Sequence, residues 1–495
     1  MICIPITART ESGMAAMMAQ AAPLGDILEL RMDLAPGVAL EPLLRNRPCP
    51  VIVTNRPVRE GGEYAGDETA RIALLQQAVD LGAEYVDIEL DSVGRIRRGP
   101  RTRLIVSHHD FTRTPEHIEE MHRHLVQAGA DIAKFAVKAN DILDNLRVLR
   151  LLRRTKHPTI ALCMGELGVV SRILGRKYGN FLTFASLAAG RESAPGQLTA
   201  EDLRVLYRYK KIGPKTVLYG VIANPVAHSM SPAIQNAAFE ALGLDAVYLP
   251  FKVEGDPAEF VRAFRELDAQ GYSVTLPHKQ NIIAAMDEVD EAVRQVGAMN
   301  TVVNRGGRLC GSNTDIPAAL GAIEDALGGG APGPVPLLKG KEVLLIGAGG
   351  AARAVAYGLM ARGACVLIAN RTHERAVALA REISAQAVPM DRLGSVRPQI
   401  LINTTSVGMW PKVDESPVPP TMLRKGMIVF DAVYNPPETR LLREAKAAGC
   451  LCISGVEWFV RQATLQFEAW TGRPAPRMVM EKVLLERLCV AAESG

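Results

Sequence analysis

Up to about residue 210, short apolar runs alternate with longer stretches whose apolar positions recur at helical spacing. The runs are ICIPI (2–6), ILELRM (27–32), PVIVTN (50–55), YVDIEL (85–90), RLIVSHH (103–109), DIAKFAV (131–137), PTIALCM (158–164) and FLTFASL (181–187). Between them lie ETARIALLQQAVDLG, TPEHIEEMHRHLVQAG and ILDNLRVLRLLRRT, whose periodicity predicts amphipathic helices. Eight strand–helix units in this length predict a small parallel (β/α)8 barrel, that is, a TIM barrel. Further on, KEVLLIGAGGAARAVAYGLMARGACVLIANRT reads as strand, glycine turn, helix and second strand. That pattern predicts a Rossmann-type dinucleotide-binding unit. Two composition breaks separate these regions: the basic run RYKKIGPKT (208–216) and the Gly/Pro-rich GGGAPGPVPLLKG (328–340).

Composition narrows the functional classes. The chain has 495 residues, 48% hydrophobic and 22% charged, with a net charge of +4. This suits two to four globular domains and leaves no basic block of the kind that marks a nucleic-acid partner. No run of 18 apolar residues predicts a membrane span. The opening MICIPITART has neither a signal nor a transit pattern, so a cytoplasmic protein is expected. The eight cysteines form no CxxC pair and are expected to be reduced, buried thiols, with no metal bound. His117, His122 and His124 do not share one helical face and are expected on a solvated surface.

In a barrel of this type, chemistry gathers at the C-terminal ends of the strands. Polar residues there are Glu29 and Arg31, Arg56 followed by Glu60, His109 in SHHDF, Lys134 in IAKFAV, Arg172, and Ser193 with Gln197 in ESAPGQ. A lysine among guanidinium groups in an apolar strand suits imine chemistry. A free lysine amine costs roughly 4.6 kcal/mol to hold neutral at pH 7. Burial and neighbouring arginines favour the uncharged nucleophile. Arginines also bind a substrate carboxylate in bidentate fashion, and His109 can move a proton. Lys138, four residues on, has no evident role.

The glycine turn, Gly347, Ala348, Gly349, Gly350, Ala351 and Ala352, opens a helix whose free N–H groups suit a pyrophosphate. The second strand ends in Asn370, Arg371 and Thr372, with no acidic residue for a ribose 2′-hydroxyl. Arg371 would instead pair with a 2′-phosphate, which selects NADP. Upstream, Ser229 and Ser231 precede a Pro-started helix and suit an anion, although Ser231 as an N-cap alone would give the same pattern. Thr275 and Lys279 in GYSVTLPHK follow a predicted strand, VGAMNTVV supplies Asn300 and GSNTD supplies Asp315. A Lys–Asp pair beside a nicotinamide can shuttle the proton that accompanies a hydride.

Residues 1–210, with SHHDF and IAKFAV, resemble the type I 3-dehydroquinate dehydratases. The resemblance implies that Lys134 forms the Schiff base, that His109 is the general acid/base oriented by Glu60, and that Glu29, Arg31, Arg56, Arg172, Ser193 and Gln197 bind substrate, with Arg172 on its carboxylate. From about 218 onward, NPVAHSMSPAIQ, INTTSVGM, FDAVYNPPETRLL and VRQATLQFEAWTG resemble shikimate dehydrogenase. This implies that Ser229 and Ser231 hold the carboxylate, that Lys279 and Asp315 are catalytic, that Thr275, Asn300 and Gln462 bind ring hydroxyls, and that Tyr434 borders the pocket. It also places Thr405, Ser406, Val407, Gly408 and Gly455 at the cofactor. The expected division is 1–212 for the barrel, 213–316 plus a returning C-terminal helix (463–495) for the substrate lobe, and 317–462 for the NADP lobe. Two departures stand out: Ile316 where a glycine is usual, and Trp458 where a methionine is usual. The expected partners are 3-dehydroquinate, 3-dehydroshikimate and shikimate. Quinate preference in the second half, or a regulator without catalysis, are the alternatives.

Overall fold

The computed structural model describes residues 1–328 and 337–493. Most of the Gly/Pro-rich break at 328–340 therefore lies outside the described residues. The rest falls into two compact units: Met1–Val217 with Asp245–Glu254, and Leu218–Leu244 with Gly255–Gly495.

The first unit is built on eight parallel strands, β1 (Ile2–Ile6), β2 (Ile27–Arg31), β3 (Val51–Thr54), β4 (Tyr85–Glu89), β5 (Arg103–Asp110), β6 (Ile132–Lys138), β7 (Thr159–Met164) and β8 (Thr183–Ser186). They pair in the order β7-β6-β5-β4-β3-β2-β1-β8. The β7/β8 junction closes without a regular ladder: Phe181 N–H donates to the Thr159 carbonyl (2.8 Å), and the Asn180 side chain accepts from Ala161 N–H (2.9 Å). Side chains alternate across a strand, so each strand's inward face is a run of every second residue. The floor is apolar, with Cys3, Ile27, Ile52, Ile105, Ile132 and Ile160 in one buried cluster. Two residues further along the same faces come Glu29, Thr54, Asp87, Ser107 and Lys134, and two further Arg31, Arg56, Glu89 and His109. An apolar floor thus supports two polar layers at the C-terminal mouth.

The helices between strands follow local signals. Thr10 and Asp67 cap the helices Glu11–Ala21 and Glu68–Asp80 by accepting from Gly13 and Ala70 N–H. The strand–helix alternation fails once, because β4 and β5 are joined by only a short 3-10 turn at Val93–Arg95. The basic run at 208–216 is not a loose connector at its start. Tyr209 is fully buried under the Arg176 guanidinium, and Lys210 pairs with Asp26.

The second unit carries two sheets. One contains Val217–Ala223 and Gly271–Val274 in parallel, followed by the antiparallel hairpin Thr301–Arg305/Arg308–Ser312. The other is a six-stranded parallel sheet whose strands, numbered within it in chain order, run 3-2-1-4-5-6. Its central pair is Glu342–Ile346 and Ile400–Asn403, where strand order reverses and a crevice opens for a dinucleotide. The C-terminal segment differs from expectation. It is two helices, Gly455–Thr471 and Arg477–Glu493, separated at Gly472 (φ 66°) and the following Pro474 and Pro476. The break follows from proline's missing N–H and glycine's access to left-handed backbone.

Candidate active sites

At the barrel mouth, the polar layers form one buried network. Lys134 Nζ lies 2.6 Å from Asp87 Oδ2 and 3.7 Å from Glu29 Oε1, with the Phe184 ring centroid at 4.6 Å. Asp87 also accepts from Ser107 Oγ (2.6 Å) and pairs with Arg56 (2.8 Å). Arg56 continues to Glu89 (2.6 Å), which meets Arg71 (2.5 Å). Thr54 Oγ1 donates to Glu29 (2.8 Å). Cations and carboxylates therefore alternate through the network. The nearest charges to the Lys134 amine are carboxylates, and Arg56 is itself paired with Asp87 and Glu89. A strand-end lysine this buried needs an opposite charge in contact, because an unpaired ion there is costly.

The three arginines differ in what they have left to offer a ligand. Arg56 is occupied as described. Arg31 makes a bidentate pair with Asp33, Nε at 2.9 Å and Nη2 at 2.6 Å. Arg172, on the helix Val169–Leu174 after β7, is 2% exposed; its Nη2 donates to the Pro195 carbonyl at 3.2 Å, and its Nε has no partner. Among the described residues no carboxylate pairs with it. Burial lowers its pKa to about 10, the mark of a cation short of counter-charge. Ser193 and Gln197 hold each other, with Ser193 N–H and Oγ on Gln197 Oε1 at 2.8 and 3.3 Å. A cavity of about 200 Å³ is lined by all nine barrel residues singled out from the sequence, Glu60 and His109 included. A wider hollow of about 640 Å³ adjoins it through Arg31, Gly61 and Ser193.

His109 is 10% exposed at the end of β5. Glu60 Oε2 accepts from its main-chain N–H (2.8 Å) and faces its Nδ1 (3.0 Å). Burial, then the charge of Arg56, lowers the imidazole pKa to about 3, against the pull of Glu60. Burial pushes Glu60 upward, but its hydrogen bonds with His108 and His109 outweigh that and draw it down to about 2. The resting pair is a carboxylate and a neutral imidazole, with Nε2 left for a reacting proton. The Phe111 ring stacks on His109 at 6.1 Å.

In the second unit, Lys279 Nζ contacts Asp315 Oδ2 at 2.5 Å. Asp315 opens the helix Asp315–Ala326, and its N–H is held by Asn313 Oδ1 (3.0 Å). Asn300 ties three elements together: its Oδ1 accepts from Thr314 N–H and Thr301 Oγ1 (both 2.8 Å), and its Nδ2 reaches Gln462 Oε1 at 3.5 Å. Ser231 is the first residue of its helix and makes no capping bond, while Ser229 Oγ accepts from Ser231 N–H at 3.3 Å. Thr275 directly follows its strand, its N–H on the Ile222 carbonyl. A Cβ on Gly350 would stand 4.0 Å from Lys279 Cδ, so the Lys–Asp pair reaches the start of the glycine-turn helix.

The residues present fit a dinucleotide. Gly347 has φ 122°, and a Cβ there would come within 2.5 Å of Thr404 Oγ1. The helix Gly350–Ala361 has no side-chain cap, which leaves its first N–H groups for an anion. Arg371 is exposed and, among the described residues, forms no ion pair; Asn370 holds the Thr372 carbonyl (2.8 Å). The 405–408 turn is organised from below by Asn403, whose Oδ1 accepts from Thr405 N–H and Oγ1. Asn403 is in turn fixed by Asp431 (2.9 Å), which also accepts from Thr439 Oγ1 (2.6 Å). Tyr434 packs on Phe459 at 4.8 Å, and Gly455 approaches the Val433 carbonyl so closely that a Cβ would lie at 2.2 Å.

Both departures have structural partners. A Cβ on Gly358 would lie 2.8 Å from Ile316 Cγ2, so a glycine on the facing helix makes room for the larger residue. Trp458 Nε1 donates to the Asp315 main-chain carbonyl at 3.2 Å, and its ring packs edge-on against Phe430. Asp87, Glu89, Ser107 and Arg71 were missed by the motif reading. Asp87 and Glu89 were legible as inward positions of YVDIEL, spaced like Glu29 and Arg31 in ILELRM. His122 is also corrected: it is buried, with Nε2 2.9 Å from Thr159 Oγ1, not on a solvated surface. The eight cysteines are free, but only Cys3 and Cys163 are buried. No cluster of His, Cys, Asp or Glu among the described residues is placed to hold a metal ion.

A buried strand lysine beside an oriented histidine, joined in one chain to a Lys–Asp pair beside a dinucleotide turn, fits a lyase linked to a dinucleotide-dependent dehydrogenase. Residues 2–214 match the type I 3-dehydroquinase family, 221–302 the shikimate dehydrogenase substrate binding domain, 333–412 the shikimate/quinate 5-dehydrogenase family and 455–485 the shikimate 5′-dehydrogenase C-terminal domain. The chain is 41% identical, over 98% of its length and 84% of the relative's, to the chloroplastic bifunctional 3-dehydroquinate dehydratase/shikimate dehydrogenase of Arabidopsis thaliana. It is also 41% identical over 58% of its length and 97% of the relative's to a shikimate dehydrogenase (NADP(+)) of Moorella thermoacetica. A shikimate dehydrogenase solved in complex with NADP+ matches 56% of the chain and 96% of its own, with 38% identity and a TM-score of 0.51. The chain belongs to the bifunctional 3-dehydroquinate dehydratase/shikimate dehydrogenase family.

Proposed function

We propose that the chain carries out two successive steps, dehydrating 3-dehydroquinate to 3-dehydroshikimate and then reducing that product to shikimate with NADPH. Its substrates are small cyclic hydroxy-acids, and no helix among the described residues is long and apolar enough to cross a membrane. The observation that carries the barrel assignment is Lys134 at the floor of a cavity whose one under-partnered cation is Arg172.

In this reading, Arg172 takes the substrate carboxylate and sets the ring ketone over Lys134. The Lys134 ammonium gives up one proton, the neutral amine adds to the ketone carbon, and that proton returns to the carbinolamine oxygen, which takes a second from the nitrogen and leaves as water to give a protonated imine. Neutral His109 removes the proton at C2, and the electron pair flows into the iminium. The imidazolium, steadied by Glu60, then protonates the departing hydroxyl, and hydrolysis frees Lys134 and the product. Glu29, Arg31, Arg56, Ser193 and Gln197 orient the ring and the amine.

In the second site, Ser229 and Ser231 receive the carboxylate, Thr275, Asn300 and Gln462 the ring hydroxyls, and Tyr434 closes the edge. Residues 347–352, 370–372, 405–408 and Gly455 would hold NADPH, which when bound would supply a hydride. Lys279 delivers the proton to the new alkoxide and Asp315 holds Lys279 in place. The division at 212/213 and 316/317 assigns each site its lobes, with the C-terminal helices completing the substrate lobe. The eight free cysteines support a cytoplasmic setting. Incubation of the full chain with 3-dehydroquinate and NADPH tests the whole reading: shikimate formed with equimolar NADPH loss supports it, and accumulation of unreduced 3-dehydroshikimate, or no turnover, refutes it.

A further inference from the structure

His108 stands beside His109 on β5 and has no part in the proton transfer assigned to its neighbour. Both imidazoles nonetheless meet one carboxylate. Glu60 gives Oε2 to His109, through its main-chain N–H and Nδ1, and gives Oε1 to His108 Nδ1 at 3.5 Å. The arrangement is fixed on three sides. Glu60 ends a single 3-10 turn, Val58–Glu60, closed by Gly61 at φ 77°. A Cβ on Gly61 would lie 2.2 Å from Phe111 Cζ, and that ring stacks on His109. His108 is 29% exposed in its side chain, so it exchanges protons with solvent while His109 stays enclosed.

We infer that His108 is a positioning residue for the dehydration: by sharing Glu60, it sets how much of that carboxylate's charge supports the imidazolium formed on His109. The inference rests on His109 being the proton-transfer group. When His109 takes the substrate proton it becomes a cation facing Glu60. With His108 neutral, Glu60 offers its full charge. With His108 protonated, part of that charge is offset and the imidazolium on His109 is less favoured. The charged groups acting on His108 are Glu60, from the turn after β3, and Asp110, on its own strand. Those acting on His109 are Arg56 from the segment after β3, Lys134 from β6, Asp87 from β4 and Glu60. Asp91, after β4, lies within reach of Glu60. The Glu60 contact first, and Asp110 last, hold the His108 pKa above the ordinary imidazole value despite burial. His108 therefore changes charge in a range where His109 is already neutral.

The test is the pH profile of kcat/KM for 3-dehydroquinate in the full chain, with His108→Gln and His108→Lys compared with wild type. Circular dichroism and thermal melting of the same samples report folding. Removing the charge in His108→Gln shifts the acidic limb upward by about half a pH unit or more. A permanent charge in His108→Lys leaves that limb low and depresses the rate on the alkaline side, where wild type has lost the His108 proton. In a Glu60→Gln background the two His108 substitutions give coincident profiles. Profiles superimposable on wild type in both single variants would overturn the inference, as would a shift that persists undiminished without Glu60. A His109→Asn variant that keeps full dehydratase activity would sink the proton-transfer assignment itself. Its loss alongside unmoved His108 profiles would sink only the coupling.

Discussion

Arg172→Met separates the cost of a charge from its use. The guanidinium is 2% exposed, with one hydrogen bond to Pro195 and an unpartnered Nε. Its pKa falls from 12.5 to about 10 through burial, which corresponds to about 3 kcal/mol of charge-burial cost. Methionine has a similar reach without the charge, so the empty barrel is expected to lose nothing in stability and to gain up to about that amount, less roughly 1 kcal/mol for the Pro195 bond. Catalysis moves the other way. Two charge-assisted bonds to a carboxylate contribute about 1.5–3 kcal/mol each, so kcat/KM for 3-dehydroquinate should fall about 10²–10⁴-fold. Calorimetry of the full chain gives the first quantity, and absorbance of the conjugated product gives the second. A variant that unfolds several kcal/mol more easily while keeping kcat/KM within threefold would refute the assignment of Arg172 as carboxylate receptor.

Three further outcomes follow from the same geometry. Lys279→Met and Asp315→Asn should each lower kcat for 3-dehydroshikimate reduction about 10²–10⁴-fold, with shikimate binding by calorimetry changed far less; equal losses in both would contradict a proton-transfer role. Arg371→Glu should reverse cofactor preference by costing NADPH affinity about 10–100-fold and leaving NADH binding intact, measured by fluorescence titration. Burial raises the Asp431 pKa from 3.8 to about 6 despite its hydrogen bonds. Its proton is therefore held more tightly folded than unfolded: this contribution is complete below pH 3.8 and lost as pH rises through about 6. Relative to Asp431→Asn, the wild-type nucleotide lobe should lose about 2.5 kcal/mol of stability between pH 4 and pH 8, and a pH-independent difference in melting temperature would contradict it.

The barrel strands were legible because their apolar runs are short and bounded, and each observed strand begins and ends within two residues of its run. The cations were legible because Lys134, Arg56 and Arg172 break apolar or loop patterns. Of their counter-charges only Glu29 stood out; Asp87 and Glu89 did not, although they sit two residues apart on an inward face just as Glu29 and Arg31 do. Which arginine is open to substrate depends on who else reaches it: Asp33 occupies Arg31 from two residues away, and Asp87 occupies Arg56 from another strand, which no spacing rule reveals. His122 turned inward because Thr159, 37 residues on, supplies its partner. The C-terminal break at Gly472–Pro476 was local and readable in TGRPAPR. The accommodation of Ile316 by Gly358 was not, since it depends on two helices meeting.

The central claim is an imine at Lys134. Borohydride added to the full chain during turnover of 3-dehydroquinate, followed by peptide mapping, tests it directly. The account predicts a reduced substrate adduct on the peptide carrying Lys134, and none in Lys134→Met. An adduct on another lysine, or turnover in Lys134→Met at a rate near wild type, would contradict it.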